Sequence, residues 1–153
     1  MHLRLSLPAV ALAAGLAVSP VVLHAQDEAP PPEIHYMTVA KFSAPYSDAG
    51  QKVMWWIDSV MVPSAKMNPH VLSTRVGTHI YGSSGGDIVM MTEYADWNAI
   101  NADCEPCDAW FEERQPEEGT PEREAWDEAQ AAFFKYFTGH QDEIYSVNMN
   151  RAK

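Results

Sequence analysis

The only two cysteines of the 153-residue chain, Cys104 and Cys107, are separated by two residues in the segment NADCEPCDAW. This spacing occurs in redox sites, in halves of zinc sites and in short disulfides. Asp103, Glu105 and Asp108 surround the pair, and their negative charges oppose the thiolate that redox chemistry requires. A zinc site would need two further ligands, and the chain has no second C-x-x-C motif. The pattern favours a Cys104–Cys107 disulfide, with redox and metal-binding roles as the alternatives.

A second group of reactive side chains falls on predicted strands. Alternation places Arg75, His79 and Tyr81 on one face of a strand, and His35 and Glu93 lie on strands expected to be neighbours. A histidine close to a carboxylate can act as acid and base, or bind a metal with two nitrogens and one oxygen. His79, His35 and Glu93 are therefore the catalytic candidates. The alternative is that these groups are interfacial or rim residues whose hydrogen bonds are satisfied without any chemistry.

The aromatic and methionine content, with five Trp and eight Met, predicts a soft core or an apolar cavity. Trp55 and Trp56 are adjacent on one predicted helix and project about 100° apart, so we expect one of them to face a pocket or a partner. The predicted ligand-binding residues are Arg75, His79, Tyr81 and Trp55.

The same alternation predicts which face of the sheet carries His79. Val76, Thr78 and Ile80 form the more apolar set, suited to packing under helices, which leaves Arg75 and His79 on the opposite face. A one-residue bulge at Gly77 would invert this assignment. His79 is therefore predicted to lie on the sheet face without helices and to contribute the polar part of a ligand cavity.

Signature motifs for a nucleotide, a serine nucleophile or a bound metal are absent from the sequence. We therefore predict no cofactor and no metal. Whether the protein is an enzyme stays open at this point.

The N-terminus has the pattern of a secretory signal peptide: Arg4, an apolar stretch, and Ala25 before a polar break. A retained membrane anchor is the alternative, but Pro8 and Pro20 interrupt the apolar stretch. We predict a signal peptide over residues 1–25, a Pro-rich leader over 26–33 and one domain over 34–153. The mature protein is then periplasmic or secreted, and not bound to a membrane.

Charge limits the partners of the mature chain. Without residues 1–25 it has 9 basic and 21 acidic side chains, a net charge of −12. Such a charge repels phosphate backbones, so nucleic-acid binding is disfavoured. Eleven of the acids fall between Asp103 and Glu128, without the spacing of a calcium-binding loop, and are expected to form a solvated face.

Hydrophobic periodicity and turn residues give the element order βαββαβ. This is the order of a ferredoxin-like α+β domain, an antiparallel sheet with both helices on one face. The strands are predicted over 34–42, 70–82, 87–94 and 143–150, and the helices over 47–62 and 120–139, with Pro63 ending or kinking the first.

The segment EYADWNAINA (93–102), a strand that runs into an Asp-Trp helix start, resembles the third-strand junction of the dimeric α/β-barrel superfamily. This superfamily includes EthD-like, NIPSNAP-like and antibiotic-biosynthesis-monooxygenase-like proteins. The resemblance implies a homodimer in which two sheets pack face to face, and a small-molecule cavity between helices and sheet. The acidic segment at about 103–119, with its CEPC motif, departs from that pattern as an irregular insert.

Three functional classes follow from these patterns. The first is an exported small-molecule-binding protein with a small apolar or aromatic ligand. The second, which the resemblance implies, is a cofactor-independent monooxygenase or isomerase with His79 or His35 as the base. The third is a structural or interaction domain without a ligand. We rank them in this order, because fold analogy alone supports an enzyme.

Overall fold

The computed structural model describes residues 31–80 and 86–151. The predicted signal peptide, residues 1–25, lies outside the described residues, as does most of the leader. Within the described part, four antiparallel strands form one sheet in the order β2-β3-β1-β4. They are β1 (Ile34–Ser43), β2 (Val71–Thr78), β3 (Asp87–Tyr94) and β4 (Gln141–Asn148). The predicted α+β, ferredoxin-like arrangement is confirmed.

The first helical segment does not end at its proline. It consists of α1 (Asp48–Trp56), a π-helical turn (Ile57–Met61) and α2 (Val62–Ala65). The N–H of Val62 donates to the carbonyl of Ile57, the five-residue spacing of a π-turn. Because Pro63 has no N–H to donate to the preceding turn, the hydrogen-bond pattern changes at this point. The helix nevertheless continues to Ala65.

The other helix predicted from the sequence is confirmed as α4 (Pro121–Phe137). Thr120 is its N-cap, and the Thr120 hydroxyl accepts a hydrogen bond from the Arg123 N–H at 3.2 Å. Gly139 follows the helix with φ of +85°, a conformation that glycine adopts without strain.

The core lies between the helices and one face of the sheet. Phe42 and Ile88, which pair across β1 and β3, are both buried against the helices. Alternation therefore directs the odd-numbered residues of these two strands to the opposite face, which we call the helix-free face. The core residues are Phe42, Val53, Trp56, Ile57, Val60, Ile88, Trp126, Ala129 and Phe133.

The segment predicted to be irregular contains a helix instead, α3 (Glu105–Arg114). Its sequence has no strong apolar stripe, which is why periodicity did not reveal it. The helix is held by packing: the Phe111 ring lies 6.2 Å from Trp56 and 5.6 Å from Trp126, between ring centroids. Tertiary contacts therefore order this acidic segment.

Cys104 and Cys107 form a disulfide at the start of α3. Cys104 is the N-cap, and its sulfur accepts a hydrogen bond from the Cys107 N–H at 3.2 Å. The bond closes a very small loop, so it removes little entropy from the unfolded chain. Its effect is confined to the first turn of α3.

We expect the double variant Cys104→Ser/Cys107→Ser to lose roughly 2 kcal/mol of unfolding free energy or less. Guanidinium unfolding of both proteins measures the difference, and the oxidised protein should incorporate no alkylating agent without reductant. A loss of more than about 4 kcal/mol would instead make this disulfide a major contributor to global stability.

Candidate functional site

A cavity of about 590 Å³ opens between α1 and the end of the sheet where β1 and β2 finish and β3 begins. This volume is within the range of small-molecule sites. We call it the α1 cavity. Its described lining consists of Ala44, Pro45, Tyr46, Ser47, Gly50, Gln51, Met54, Thr78, Ile80, Gly86, Asp87 and Ile88.

The turn between β1 and α1 shapes one wall of the cavity. The N–H of Ser47 donates to the Pro45 carbonyl at 2.9 Å, and the N–H of Ala44 donates to the Gly86 carbonyl at 3.0 Å. A Cβ atom added to Gly50 would lie 1.8 Å from the Pro45 carbonyl oxygen. Only glycine allows the turn to come this close to α1, so Gly50 determines the position of this wall.

Asp87 lies at the edge of the α1 cavity and is almost fully buried. Its carboxylate accepts a hydrogen bond from the Ser43 hydroxyl and pairs with the Lys41 ammonium at 2.8 Å. The hydrogen bond from Lys41 is the main cause that lowers the pKa of Asp87, followed by that from Ser43. The ionised Asp87 therefore ties together the ends of β1 and β3 that border the cavity.

His79 continues β2 beyond its last paired residue. The His79 N–H donates to the Asp87 carbonyl at 2.8 Å, and the His79 carbonyl accepts a bond of 3.4 Å from the Tyr46 hydroxyl. The Nδ1 atom is buried and has no hydrogen-bond partner among the described residues. His79 is thus next to the α1 cavity through its backbone, but it is not one of the described lining residues.

His35 and Glu93 meet at the other end of the sheet. The His35 Nδ1 atom lies 2.8 Å from a Glu93 carboxylate oxygen, and the His35 Nε2 atom lies 3.1 Å from Glu33. The Ser73 hydroxyl donates to the second Glu93 oxygen at 2.8 Å. With a carboxylate at each ring nitrogen, the charged imidazolium is favoured over a neutral base.

The pKa values of His35 and Glu93 both differ from the ordinary values of these groups. The hydrogen bond to Glu93 is the main cause that raises the pKa of His35 above 6.5. The hydrogen bond from His35, then that from Ser73, lowers the pKa of Glu93 below 4.5. The stability due to His35 is complete below about pH 6.5 and is lost as the pH rises through its raised pKa. The stability due to Glu93 is present above about pH 4.5 and is lost as the pH falls through its lowered pKa.

We expect Glu93→Gln to lower the pKa of His35 towards 6.5, because the neutral amide removes the main group that stabilises the imidazolium. The NMR titration of the imidazole protons measures this shift. Glu143→Gln is the matched control, because Glu143 lies on β4, pairs with Val39 of β1 and makes no hydrogen bond to His35. An unchanged His35 titration in Glu93→Gln would contradict the assigned hydrogen bond.

The described polar residues that the sequence singled out on the strands lie in two separate places. Arg75 pairs with Met91 on the helix-free face and is exposed. Ser73, which contacts Glu93, and His79 are six positions apart along the strand, which corresponds to roughly 20 Å. Tyr81 lies outside the described residues. The result is a His35–Glu93 pair at one end and His79 beside Asp87 at the other.

Trp55 lies outside the described lining of the α1 cavity. Its side chain is 45 % exposed, and its ring is 6.1 Å from Trp126 on α4, edge to face. Trp56 is buried in the core instead. Trp56 therefore faces the core, and Trp55 faces outward beside α4.

Sequence reasoning did not single out the residues that line the α1 cavity. Pro45, Gly50 and Met54 appeared in the sequence as a turn and a helix, without a recognised chemical role. The one available signal was the segment SAPYSDAG, where a proline and a glycine flank a helix start. Such a segment indicates a close turn, but it does not indicate a cavity.

In residues 31–80 and 86–151, no group of three His, Cys, Asp or Glu side chains is arranged to hold a metal ion. Within the same part of the chain, every helix is too short or too polar to cross a membrane.

The chain matches no family model and no curated protein sequence. Solved structures with the same arrangement of elements do exist. An EthD family protein from Bacillus halodurans is 12 % identical, with a TM-score of 0.43, and the match covers 72 % of this chain and 96 % of the other. A ferredoxin-like protein from Bacteroides fragilis, described as dimeric, is 11 % identical, with a TM-score of 0.43, covering 74 % of this chain and 95 % of the other.

A third similar structure is SnoaB, a cofactor-independent oxygenase from Streptomyces nogalater. It is 12 % identical, with a TM-score of 0.36, and the match covers 74 % of this chain and 91 % of the other. The three structures include an EthD family protein and a cofactor-independent oxygenase, two kinds of protein near those that the segment EYADWNAINA resembles. At these identities the likeness concerns the fold, and no activity follows from it.

Proposed function

We propose that the domain binds a small, mainly apolar organic molecule in the α1 cavity. The cavity itself is the observation that carries this proposal, because it has the volume of a ligand site and an apolar wall formed by Pro45, Met54 and Ile88. Tyr46 and Gln51 add polar groups that can orient a ligand. Both a binding protein and a cofactor-independent enzyme would use such a cavity.

Fluorescence titration with the neutral dye Nile red tests this proposal. We expect Met54→Trp to abolish dye binding, because the larger side chain fills the cavity. Met67→Trp is the matched control, since Met67 is 45 % exposed and lies outside the described lining. Equal dye binding by both variants would reject the α1 cavity as the site.

Cofactor-independent oxygenation is the second candidate, since the similar protein SnoaB is a cofactor-independent oxygenase. The similar structures agree better with this class than with ligand binding alone. Oxygen consumption with a polyphenol or quinol, without added flavin or metal, tests it. The Met54→Trp variant should lose turnover if the reaction takes place in the α1 cavity, and turnover that survives this change would place the reaction elsewhere.

We further propose a homodimer that forms through the helix-free face. Met37, Val39, Val89 and Met91 form an apolar strip across the centre of this face, and the core helices pack on the other side. Packing the helix-free faces of two copies against each other would bury this strip. Sedimentation should show a dimer in the wild type and a monomer in Met91→Asp, and a wild-type monomer at high micromolar concentration would rule this interface out.

We also propose that the protein is exported to an oxidising compartment, because residues 1–25 have the pattern of a secretory signal peptide. The disulfide between Cys104 and Cys107 supports it, because such bonds persist outside reducing compartments. N-terminal sequencing of protein from its natural host should begin near Gln26. A mature protein that retains residues 1–25 would contradict cleavage.

A further inference from the structure

The α1 cavity contains almost no charge. Tyr46 and Asp87 are the only described lining residues with an ionisable side chain. Because Ile88 is in the core, alternation directs the neighbouring Asp87 side chain to the helix-free face, where Lys41 and Ser43 hold its carboxylate. This negative charge is therefore paired and directed away from α1.

Among the described residues that line the cavity, none has a basic side chain that could receive an anion. Lys41 is paired with Asp87, and Lys52, which follows Gln51 on α1, is paired with Glu128 of α4. The described lining has no Lys, Arg or His.

An anionic ligand would therefore lose its hydration without gaining a counter-ion, which is costly. The net charge of −11 of the chain adds a long-range repulsion. A cation would find the one lining carboxylate already paired. The electrostatics of the cavity thus disfavour either sign of charge and favour an uncharged molecule.

Neutral hydrogen-bonding groups are present, by contrast. Ser47, Gln51 and Thr78 supply hydroxyl and amide groups to the lining, and Tyr46 supplies a phenol. We infer that the α1 cavity selects uncharged ligands that carry a hydroxyl or carbonyl group on a mainly apolar frame. This inference rests on the proposed ligand binding and adds the class of ligand.

Calorimetry at pH 7 with 2-naphthol and 2-naphthoate tests the inference, because the two probes share one ring system and differ in charge. We expect 2-naphthol to bind at least about tenfold more tightly, with binding lost in Met54→Trp. Equal or tighter binding of 2-naphthoate would overturn the selection of neutral ligands and leave the proposed function in place. Binding of neither probe would overturn the inference together with the proposed function.

A charge introduced at Gln51 provides the second test, because this side chain is exposed and lines the cavity. We expect Gln51→Lys to increase the affinity for 2-naphthoate relative to 2-naphthol by about tenfold, and Gln51→Glu not to do so. If 2-naphthol still binds and Gln51→Lys leaves this ratio unchanged, charge does not control selection and the inference is wrong.

Discussion

Phe133→Ala is expected to lower the free energy of unfolding by about 3–5 kcal/mol. Phe133 is 1 % exposed and lies between α4 and the sheet, with its ring centroid 5.9 Å from Phe42 and 5.0 Å from Phe137. Truncation removes these contacts and leaves a cavity that the surrounding rings fill only in part. Chemical denaturation with guanidinium measures the loss.

The neighbouring residue provides the control. Phe134 is on the same helix but is 54 % exposed, so we expect Phe134→Ala to change the unfolding free energy by less than about 1 kcal/mol. Both changes remove the same atoms, and the difference between them isolates burial from helix propensity. Similar losses in the two variants would show that the helix-to-sheet core is not where the structure places it.

Gly50→Ala is expected to cost roughly 3 kcal/mol or more, and to weaken ligand binding in the α1 cavity. The new Cβ atom would approach the Pro45 carbonyl oxygen to 1.8 Å, which no real contact allows. Either α1 or the turn must then move, and the turn forms one wall of the cavity. Thermal unfolding and Nile red titration report the two effects.

Gly77→Ala serves as the matched control, because a Cβ atom at Gly77 meets nothing within 4 Å. We expect its stability and dye binding to stay close to those of the wild type, within about 0.5 kcal/mol. If Gly50→Ala were as well tolerated as Gly77→Ala, the close approach of the turn to α1 would be refuted.

Much of the fold was predictable because its signals are local. The strand β3 has the predicted bounds, 87–94, and α4 lies within the predicted helix, 120–139. Alternation in β2 placed Val76 towards the core, and the structure agrees because the register continues without a bulge at Gly77. The irregularity in β2 occurs instead between Val71 and Ser73.

Other features were not predictable from local patterns. The helix α3 has almost no apolar stripe and is ordered by the contacts of Phe111 with rings on α1 and α4. The separation of His79 from His35 was unpredictable for a different reason. Alternation determines which face a residue occupies, whereas the register determines how far along the sheet it lies, and His79 is far from His35.

The sequence alone determined the element order and the face on which the residues of β2 lie, and it favoured the pairing of two nearby cysteines. These features depend on side-chain type and on separations of a few residues. Tertiary structure alone decided that Glu93 reaches His35, that Asp87 binds Lys41 and Ser43, and that a cavity opens beside Gly50. Each of these depends on the packing of segments distant in sequence, which no local pattern encodes.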